Sequence, residues 1–356
     1  MLRFGVFLPS YVYPGDPPPA AAALQSYARL AEELGFDSIW VFDHLLDAPP
    51  SYKAAFLEPA TTLALAALAT KRVTIGTGVL VLPLRDPVLT AKAFANIDLL
   101  SEGRLIFGVG VGWAEQEFQA SQVALAERGR RMDESLDIIL GLWTHDTFAY
   151  KGRCFNVPEI SLLPRPLQRP HPPIWVAGGT VPMGKSRHIT ARRGYSPVPS
   201  IRRAARLGQG LMTAYRSAPG SDVSCILETR DLLAQEMKAA GRDPGSVRFA
   251  HHDHVHIDIE PTHERLAAVL HRFTHNSFED MAPIYLMGHP DDLVPLFQAR
   301  IDAGVEEVTF NFMTPDPRQL ELFMSRVRPH LKSEHSLGTG ADSPAKVRLL
   351  PAVKPG

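Results

Sequence analysis

The chain has little of what would indicate a disulfide framework, a metal knuckle or a polyanionic partner. It contains two cysteines in 356 residues, Cys154 and Cys225, and they lie far apart in sequence. That number and spacing fit neither a disulfide scaffold nor a cysteine-based metal site. Lys and Arg total 37 against 38 Asp and Glu, which gives a formal net charge of −1. Such a balance offers no field that would attract nucleic acid or an anionic membrane.

Long hydrophobic runs are also missing. The opening nine residues, MLRFGVFLP, have one basic residue and a short apolar run, but no small-residue cleavage site follows, so they make a poor signal peptide. No apolar stretch approaches the length that crosses a bilayer. We therefore expect a protein of the reducing cytoplasm that acts on a small molecule, with no nucleic-acid or membrane partner.

The chain does contain a repeated alternation of strand-like and helix-like segments. The strand-like runs are short and almost continuously apolar, which is typical of a parallel sheet covered on both faces. They lie at 3–9, 38–42, 73–82, 105–109, 173–177, 211–214, 247–259 and 307–312, and the helical patterns between them lie at 20–34, 59–69, 88–100, 201–207, 224–240 and 290–303. Eight such units close naturally into a (β/α)8 TIM barrel. The run at 211–214 is the weakest, so the sequence supports seven or eight units.

Three regions interrupt the alternation. Residues 144–169 are rich in proline and aromatic residues and predict an excursion between the fourth and fifth units. Residues 180–200 form an insert with five basic side chains (Lys185, Arg187, His188, Arg192 and Arg193), which would serve either as a lid or phosphate anchor or as a solvated surface loop. Residues 333–356 are small, polar and proline-bearing, which predicts a disordered tail. We therefore expect one barrel domain over residues 1–332.

The predicted strand ends carry the candidate chemistry, because the carboxyl ends of barrel strands surround the active site. Asp43 and His44 end the second strand, and a histidine is suited to proton transfer near neutral pH. A buried, hydrogen-bonded structural histidine is the alternative. Neighbours on a strand point to opposite faces, so Asp43 would make a different contact. Glycines at the next three strand ends would let the backbone approach a flat ligand, or would only serve turns; they include Gly76, Gly78, Gly108, Gly110, Gly112, Gly178 and Gly179.

Two further patterns predict less than they suggest. The run GVGVG at 108–112 lacks the third glycine and the ribose-binding acid of a dinucleotide fingerprint, so we exclude a Rossmann domain. His252, His254 and His256 would share one face of a strand, but three ligands at strand spacing still need a fourth partner to hold a metal. We interpret His252 and His254 as part of a substrate pocket, with no metal site.

Four stretches together resemble the luciferase-like monooxygenase and deazaflavin-reductase superfamily: LGFDSIWVFDHL (34–45), RVTIGTGVLVLPLRDPVLTAK (72–92), LSEGRLIFGVGVGWAEQEF (100–118) and RPHPPIWVAGG (169–179). A weaker similarity covers 287–312. The resemblance implies that a tricyclic coenzyme ring lies across the barrel mouth beside Val79, with a non-proline cis peptide after Gly78. It implies coenzyme contacts from Asp43, Gly78, Val79, Gly110, Gly112, Ala177, Gly178, Gly179 and Thr180.

The FDH ending of the second strand and the GVGVGW…EF run are most similar to members that use the deazaflavin coenzyme F420. In those members the histidine matching His44 handles a proton during hydride transfer. Trp113 stands where the sugar-phosphate dehydrogenases of the group have a glutamate, which favours a largely apolar substrate. The resemblance therefore predicts an F420-dependent oxidoreductase, with His44 catalytic and Trp113 in the substrate pocket.

Two alternatives to this function remain open from the sequence. One is an FMN-dependent monooxygenase that receives reduced flavin from a separate flavin reductase. The other is a non-catalytic flavin-binding barrel, because the stretch RRAARLGQGL (202–211) lacks the acid and the tryptophan that the family has there. The resemblance also implies a homodimer that pairs through the helices beside the second and third strands.

Overall fold

The computed structural model of the protein describes residues 2–47, 53–179, 196–214 and 222–332, and these residues form a closed barrel of eight parallel strands. This confirms the predicted TIM barrel. Each strand pairs with the next, and the last closes the ring on the first with Glu307 opposite Arg3. The strands are β1 Arg3–Phe7, β2 Ser38–Val41, β3 Thr74–Thr77, β4 Leu105–Gly110, β5 Ile174–Ala177, β6 Gly210–Ala214, β7 Arg248–Ile257 and β8 Glu307–Phe312.

Helices surround the barrel and connect its strands. Their ends follow local chemistry: α2 and α3 begin at prolines preceded by acidic N-caps, Glu58 and Asp86, and Gly35 ends α1 in the left-handed conformation at φ 89°. The helices are α1 Ala21–Leu34, α2 Pro59–Ala69, α3 Pro87–Leu100, α4 Glu115–Ala120, α5 Arg128–Thr144, α6 Val198–Leu207, α7 Ser224–Ala239, α8 His263–Phe273, α9 Phe278–Met281, α10 Pro290–Asp302 and α11 Arg318–Leu322. Within the described ranges, no helix is long and apolar enough to span a bilayer.

The structure departs from the sequence-based boundaries in several places. The weak run at 211–214 is a full barrel strand, so the count is eight. The predicted strand 73–82 is two short pieces, Thr74–Thr77 and Leu80–Val81, separated by residues 78 and 79. The excursion 144–169 contains a hairpin of Phe148–Lys151 and Asn156–Ile160. Residues 198–200 of the predicted insert are the first turn of α6, whereas 180–195 and the tail 333–356 lie outside the described residues.

The barrel interior is filled by side chains from six strands, and all of them except Ala250 of β7 are large. Trp40 of β2 and Trp175 of β5 lie with ring centroids 5.0 Å apart, and the cluster around them also contains Phe7, Phe42, Ile106, Met212 and Ala250. A second and larger apolar layer lies between the strands and the helices. The filled interior closes the barrel from below, so that the carboxyl ends of the strands present a surface and not a pore.

Candidate active site

His44 follows β2 at the carboxyl end of the barrel, as the sequence predicts. Its side chain is about 10% exposed, and its Nδ1 lies 3.1 Å from Oε1 of Glu117. The imidazole is flanked by two aromatic rings, with centroid distances of 5.1 Å to Phe56 and 5.7 Å to Trp113. One carboxylate and two apolar rings therefore surround the imidazole.

Glu117 was not among the residues predicted from the sequence. It lies in α4, and its side chain is about 2% exposed. The oxygen that faces His44 also accepts backbone N–H groups from Leu45 at 2.8 Å and Leu46 at 3.3 Å. Burial raises the pKa of Glu117, but the hydrogen bond and charge of His44 and the two amides outweigh burial and lower that pKa below its usual value. Glu117 is therefore an ionised acceptor for the whole segment that follows β2.

Asp43 points away from His44, as expected for its neighbour. Its Oδ2 accepts the N–H of Val81 at 2.7 Å, and its Oδ1 accepts from Nη2 of Arg85 at 2.8 Å. Burial raises the pKa of Asp43 despite the opposing charge of Arg85. Asp43 therefore connects the end of β2 to the segment that follows β3, and any contact with a coenzyme would come in addition to these bonds.

The segment after β3 contains the cis peptide that the resemblance implied, between Gly78 and Val79. Gly78 donates its N–H to the carbonyl of Val41 at 2.9 Å. A Cβ at Gly78 would lie 2.4 Å from the Phe7 ring, so no side chain fits there. Val79 is half-buried and packs against the edge of the interior cluster.

The glycines of β4 form a row that faces this same segment. A Cβ at Gly108 would lie 1.9 Å from the carbonyl oxygen of Thr77, and one at Gly110 would lie 2.6 Å from Cγ2 of Val79. Gly112 has φ +72°, and its Cβ would lie 2.4 Å from Cγ1 of Val81. The row therefore makes room for residues 77–81. The sequence analysis had considered only two other uses for these glycines, close approach of a flat ligand and the formation of turns.

The end of β5 lies close to the start of α6. Ala177 and Gly178 are half-buried, and Gly178 donates its N–H to the carbonyl of Met212 at 3.1 Å. A Cβ at Gly178 would lie 2.7 Å from Cβ of Ser200 in α6. Gly179 has φ 154°, in the region that favours glycine. Thr180 and the basic residues 185–193 of the insert lie outside the described residues.

Two histidines of strand β7, His252 and His254, contact aromatic rings inside the barrel. His252 contacts Phe7 and Phe42 with centroid distances of 4.4 and 5.7 Å, and His254 contacts Phe273 and Tyr285 at 4.9 and 5.2 Å. These two rings lie on the side of the interior cluster, near the barrel mouth. His256 is also buried, and this burial lowers its pKa. Across the described residues, no three histidine, cysteine or acidic side chains converge as metal ligands.

Together the ends of β2 to β5 form a rim that fits a flat, largely apolar group. Residues along the rim are half-buried, whereas the strand residues below them are buried; the half-buried ones are His44, Gly78, Val79, Val111, Gly112, Trp113, Ala177 and Gly178. Three strand spacings of about 4.8 Å give the rim a width of roughly 14 Å. The rim has an apolar floor below it and an imidazole at one edge, an arrangement typical of small-molecule sites that are mostly apolar with a few polar groups.

Gln209, which stands where the family has an acid, lies at the opposite end of the barrel from the rim. Gln209 precedes β6, where its side-chain oxygen accepts the N–H of Ile174 at 2.8 Å and its own N–H donates to the carbonyl of Ile174 at 2.8 Å. Both contacts are at the amino ends of β5 and β6, opposite the rim. The side chain of Gln209 therefore does not touch the candidate site, whereas Leu211 borders it, because its Cδ1 would lie 3.6 Å from a Cβ at Gly178.

The chain is similar to known oxidoreductases and monooxygenases. The F420-dependent glucose-6-phosphate dehydrogenase of Intrasporangium calvum is 33% identical over 337 residues, covering 85% of this chain and 92% of that protein. The enzyme of the same name from Amycolatopsis mediterranei is 40% identical over 163 residues, which cover 44% of this chain and about half (48%) of that relative. The FMNH(2)-dependent dimethylsulfone monooxygenase of Pseudomonas putida is 38% identical over 98 residues, or 27% of each chain.

Solved structures show the same fold. An F420-dependent secondary alcohol dehydrogenase in complex with an F420-acetone adduct superposes with a TM-score of 0.73 at 19% identity, over 93% of this chain and 99% of that one. The family model for luciferase-like monooxygenases matches residues 2–291. The barrel, the rim and these matches together show that the chain is an enzyme that belongs to the luciferase-like monooxygenase family.

Proposed function

We propose that this enzyme binds coenzyme F420 and transfers a hydride between it and a small, largely apolar organic molecule. The observation that carries the proposal is the His44–Glu117 pair at the edge of the half-buried rim, with an Nδ1–Oε1 distance of 3.1 Å. The F420 dependence of two of the relatives supports the choice of coenzyme. When bound, F420 supplies the hydride chemistry itself, and the protein contributes binding, orientation and proton handling.

The rim residues would hold the coenzyme ring. Gly78 and Val79 offer backbone and a small apolar side chain, Gly110 and Gly112 keep β4 free of side chains, and the interior cluster excludes water from below. The end of β5, with Ala177, Gly178, Gly179 and Thr180, would lie beside the part of the coenzyme that extends from the ring, because its glycines allow a ligand to approach the backbone closely. His44 would give a proton to the substrate or take one from it.

Trp113, His252 and His254 would line the substrate side. Near them, the hydroxyls of Tyr11 and Tyr13 donate to the carbonyls of Phe312 and Met313 at 2.9 Å each, so these tyrosines present their rings. Arg272 lies over the Tyr13 ring and pairs with Asp16. The described part of this wall therefore offers aromatic surface and paired charge, which suits an uncharged substrate better than a sugar phosphate.

An FMN-dependent monooxygenase is the second candidate function, and the similarity to the dimethylsulfone monooxygenase favours it. It would use the same rim and would need a separate flavin reductase. A non-catalytic flavin carrier has less support, because the three relatives named above are enzymes and Gln209 lies away from the rim.

Titration of the purified apo-protein with F420 and with FMN tests the choice of coenzyme. We expect fluorescence to report a Kd for F420 at least about tenfold lower than that for FMN, which corresponds to about 1.4 kcal/mol. Val79→Arg should abolish binding because it places a long charged side chain on the apolar rim. Leu163→Arg, at a leucine that is 68% exposed away from the rim, is the matched control. Tighter binding of FMN would support the monooxygenase, and binding of neither coenzyme would refute both.

We further propose that the enzyme is a homodimer that pairs through α2 and α3. Both helices are apolar around most of their circumference, yet Leu68 of α2 and Leu89 of α3 are 65% and 72% exposed. Light scattering after size exclusion should give twice 39.2 kDa for the wild type and a single chain mass for Leu68→Asp/Leu89→Asp. Leu227→Asp on α7 should remain dimeric. A monomeric wild type would contradict the proposal.

A further inference from the structure

We propose that Glu117 is the positioning residue of His44: it fixes the ring proton on Nδ1, which leaves Nε2 as the nitrogen that exchanges a proton with the substrate. The part of this inference in which His44 exchanges a proton with a substrate rests on the proposed function. The tautomer itself is a property of the protein without coenzyme or substrate, so it can be measured separately.

The assignment follows from what a carboxylate can do. An ionised carboxylate accepts hydrogen bonds and cannot donate them, so the nitrogen 3.1 Å from its oxygen must carry the hydrogen. A neutral imidazole has one N–H, and its other nitrogen then carries the lone pair that can take up a proton. Burial raises the pKa of Glu117, but His44 and the backbone N–H groups of Leu45 and Leu46 lower it by more. The resulting lowered pKa supports the ionised state.

Glu117 is held in place independently of His44. Its carboxylate accepts the N–H groups of Leu45 and Leu46, and its side chain is about 2% exposed. The acceptor is therefore preorganised on the same short segment that carries the imidazole. A half-turn of the ring about its Cβ–Cγ bond would place a carbon in front of the carboxylate and lose the bond, so one ring orientation is preferred.

The rings of Phe56 and Trp113 make this preference matter for the reaction. They flank the imidazole at 5.1 and 5.7 Å and limit its access to water. An imidazole that gains a proton in such surroundings is stabilised by a nearby negative charge. Glu117 would thus orient His44 while making no contact with the substrate itself.

A purely structural role for Glu117 is the competing interpretation, and the chain contains a matched example of that role. Glu134 is also buried, and its carboxylate accepts three backbone N–H groups, from Arg153, Cys154 and Phe155, at 3.0, 2.9 and 3.1 Å. No imidazole is among these bonded donors. Replacing Glu134 therefore measures what the loss of a buried, backbone-binding carboxylate does by itself.

The test is the ring tautomer of His44 in the apo-protein, read from long-range ¹H–¹⁵N spectra of histidine-labelled enzyme above neutral pH. The signal is assigned by its loss in His44→Gln. We expect the Nδ1–H form in the wild type and in Glu134→Ala. In Glu117→Ala, which removes the acceptor, we expect the Nε2–H form or a mixture. In Glu117→Gln we expect the Nδ1–H form to persist, because the amide oxygen can bind the Leu45 and Leu46 N–H groups in the place of Oε1 and still accepts from Nδ1.

Turnover supplies the second readout. Glu117→Ala should lower kcat by at least about tenfold, and by no more than the roughly 10²- to 10⁴-fold that proton transfer contributes, with little change in KM. An Nε2–H wild type, or an unchanged tautomer in Glu117→Ala, would overturn the inference. If the protein turns over with neither F420 nor FMN, the proposed function fails, while the spectra still decide the role of Glu117.

Discussion

Replacing His44 with alanine is expected to lower kcat by about 10²- to 10⁴-fold, the usual contribution of a positioned acid–base group. The Kd of the coenzyme should change by less than about threefold, because the floor and most of the rim are built from other residues. Steady-state assays with reduced F420 and electron-poor alkenes or imines would measure kcat. Fluorescence titration of the same preparations would measure Kd.

Two comparisons make the His44 result specific. His330→Ala, at an exposed histidine near the end of the described chain, should leave both constants unchanged. A loss in kcat below about tenfold for His44→Ala would mean that the proton is handled elsewhere, and His252 and His254 would be the next residues to replace. A large rise in Kd would instead make His44 a coenzyme-binding residue.

The second large expected effect is a loss of stability when the buried ion pair on the outer face of β7 is broken. Asp253 and Arg300 are each 5% exposed and form a bidentate pair, with N–O distances of 2.5 and 2.9 Å. Replacing Asp253 with alanine leaves a buried guanidinium without its carboxylate, which should reduce the free energy of unfolding by about 3–5 kcal/mol. Urea unfolding followed by circular dichroism would measure this loss.

An exposed pair supplies the control for Asp253→Ala. Asp316 and Arg318 are 31% and 79% exposed, so Asp316→Ala should cost less than about 1 kcal/mol. In Asp253→Ala/Arg300→Met no unpaired charge remains, so the double variant should recover part of the loss. A cost for Asp253→Ala as small as that of Asp316→Ala would show that the buried pair contributes little.

The same pair gives stability a defined pH dependence. Burial raises the pKa of Asp253, but Arg300 and His251 outweigh burial and hold that pKa well below its usual range. A carboxyl whose pKa is lower in the folded than in the unfolded chain contributes stability above its unfolded pKa of about 3.9. We therefore expect the difference in unfolding free energy between wild type and Asp253→Ala to be constant near neutral pH and to shrink as pH falls below about 4.

The sequence predicts the barrel well because most of the strands are short apolar runs bounded by glycine, proline or charge; the ten-residue β7, with its four histidines, is the exception. Even the weakest run, 211–214, is a strand, since pairing with β5 and β7 supplies what local propensity does not. Helix α5 was missed although Met132, Leu136, Ile139 and Trp143 are spaced as on one buried helical face. Its basic first turn and the nearby proline-rich stretch concealed that period.

The candidate site is harder to predict, because its polar contacts join distant parts of the chain. His44 and Asp43 were found from their place at a strand end, but the partner of His44 lies 73 residues away on a six-residue helix. A clue was present in the quoted GVGVGWAEQEF run, where an acid follows the glycine row by one helical turn. Only the folded chain shows which of its two glutamates turns back to the imidazole.

The glycine row of β4 also bears on how this enzyme can acquire new specificities. Any side chain at Gly108 or Gly110 would collide with residues 77–81. We therefore expect substitutions at these two glycines, which lie below the proposed coenzyme, to be poorly tolerated. Trp113 and Phe56 are half-buried at the mouth, where volume can change without such a collision. Divergence among paralogues, and any library built for directed evolution, should therefore concentrate its tolerated variation at the mouth and leave the glycine row fixed.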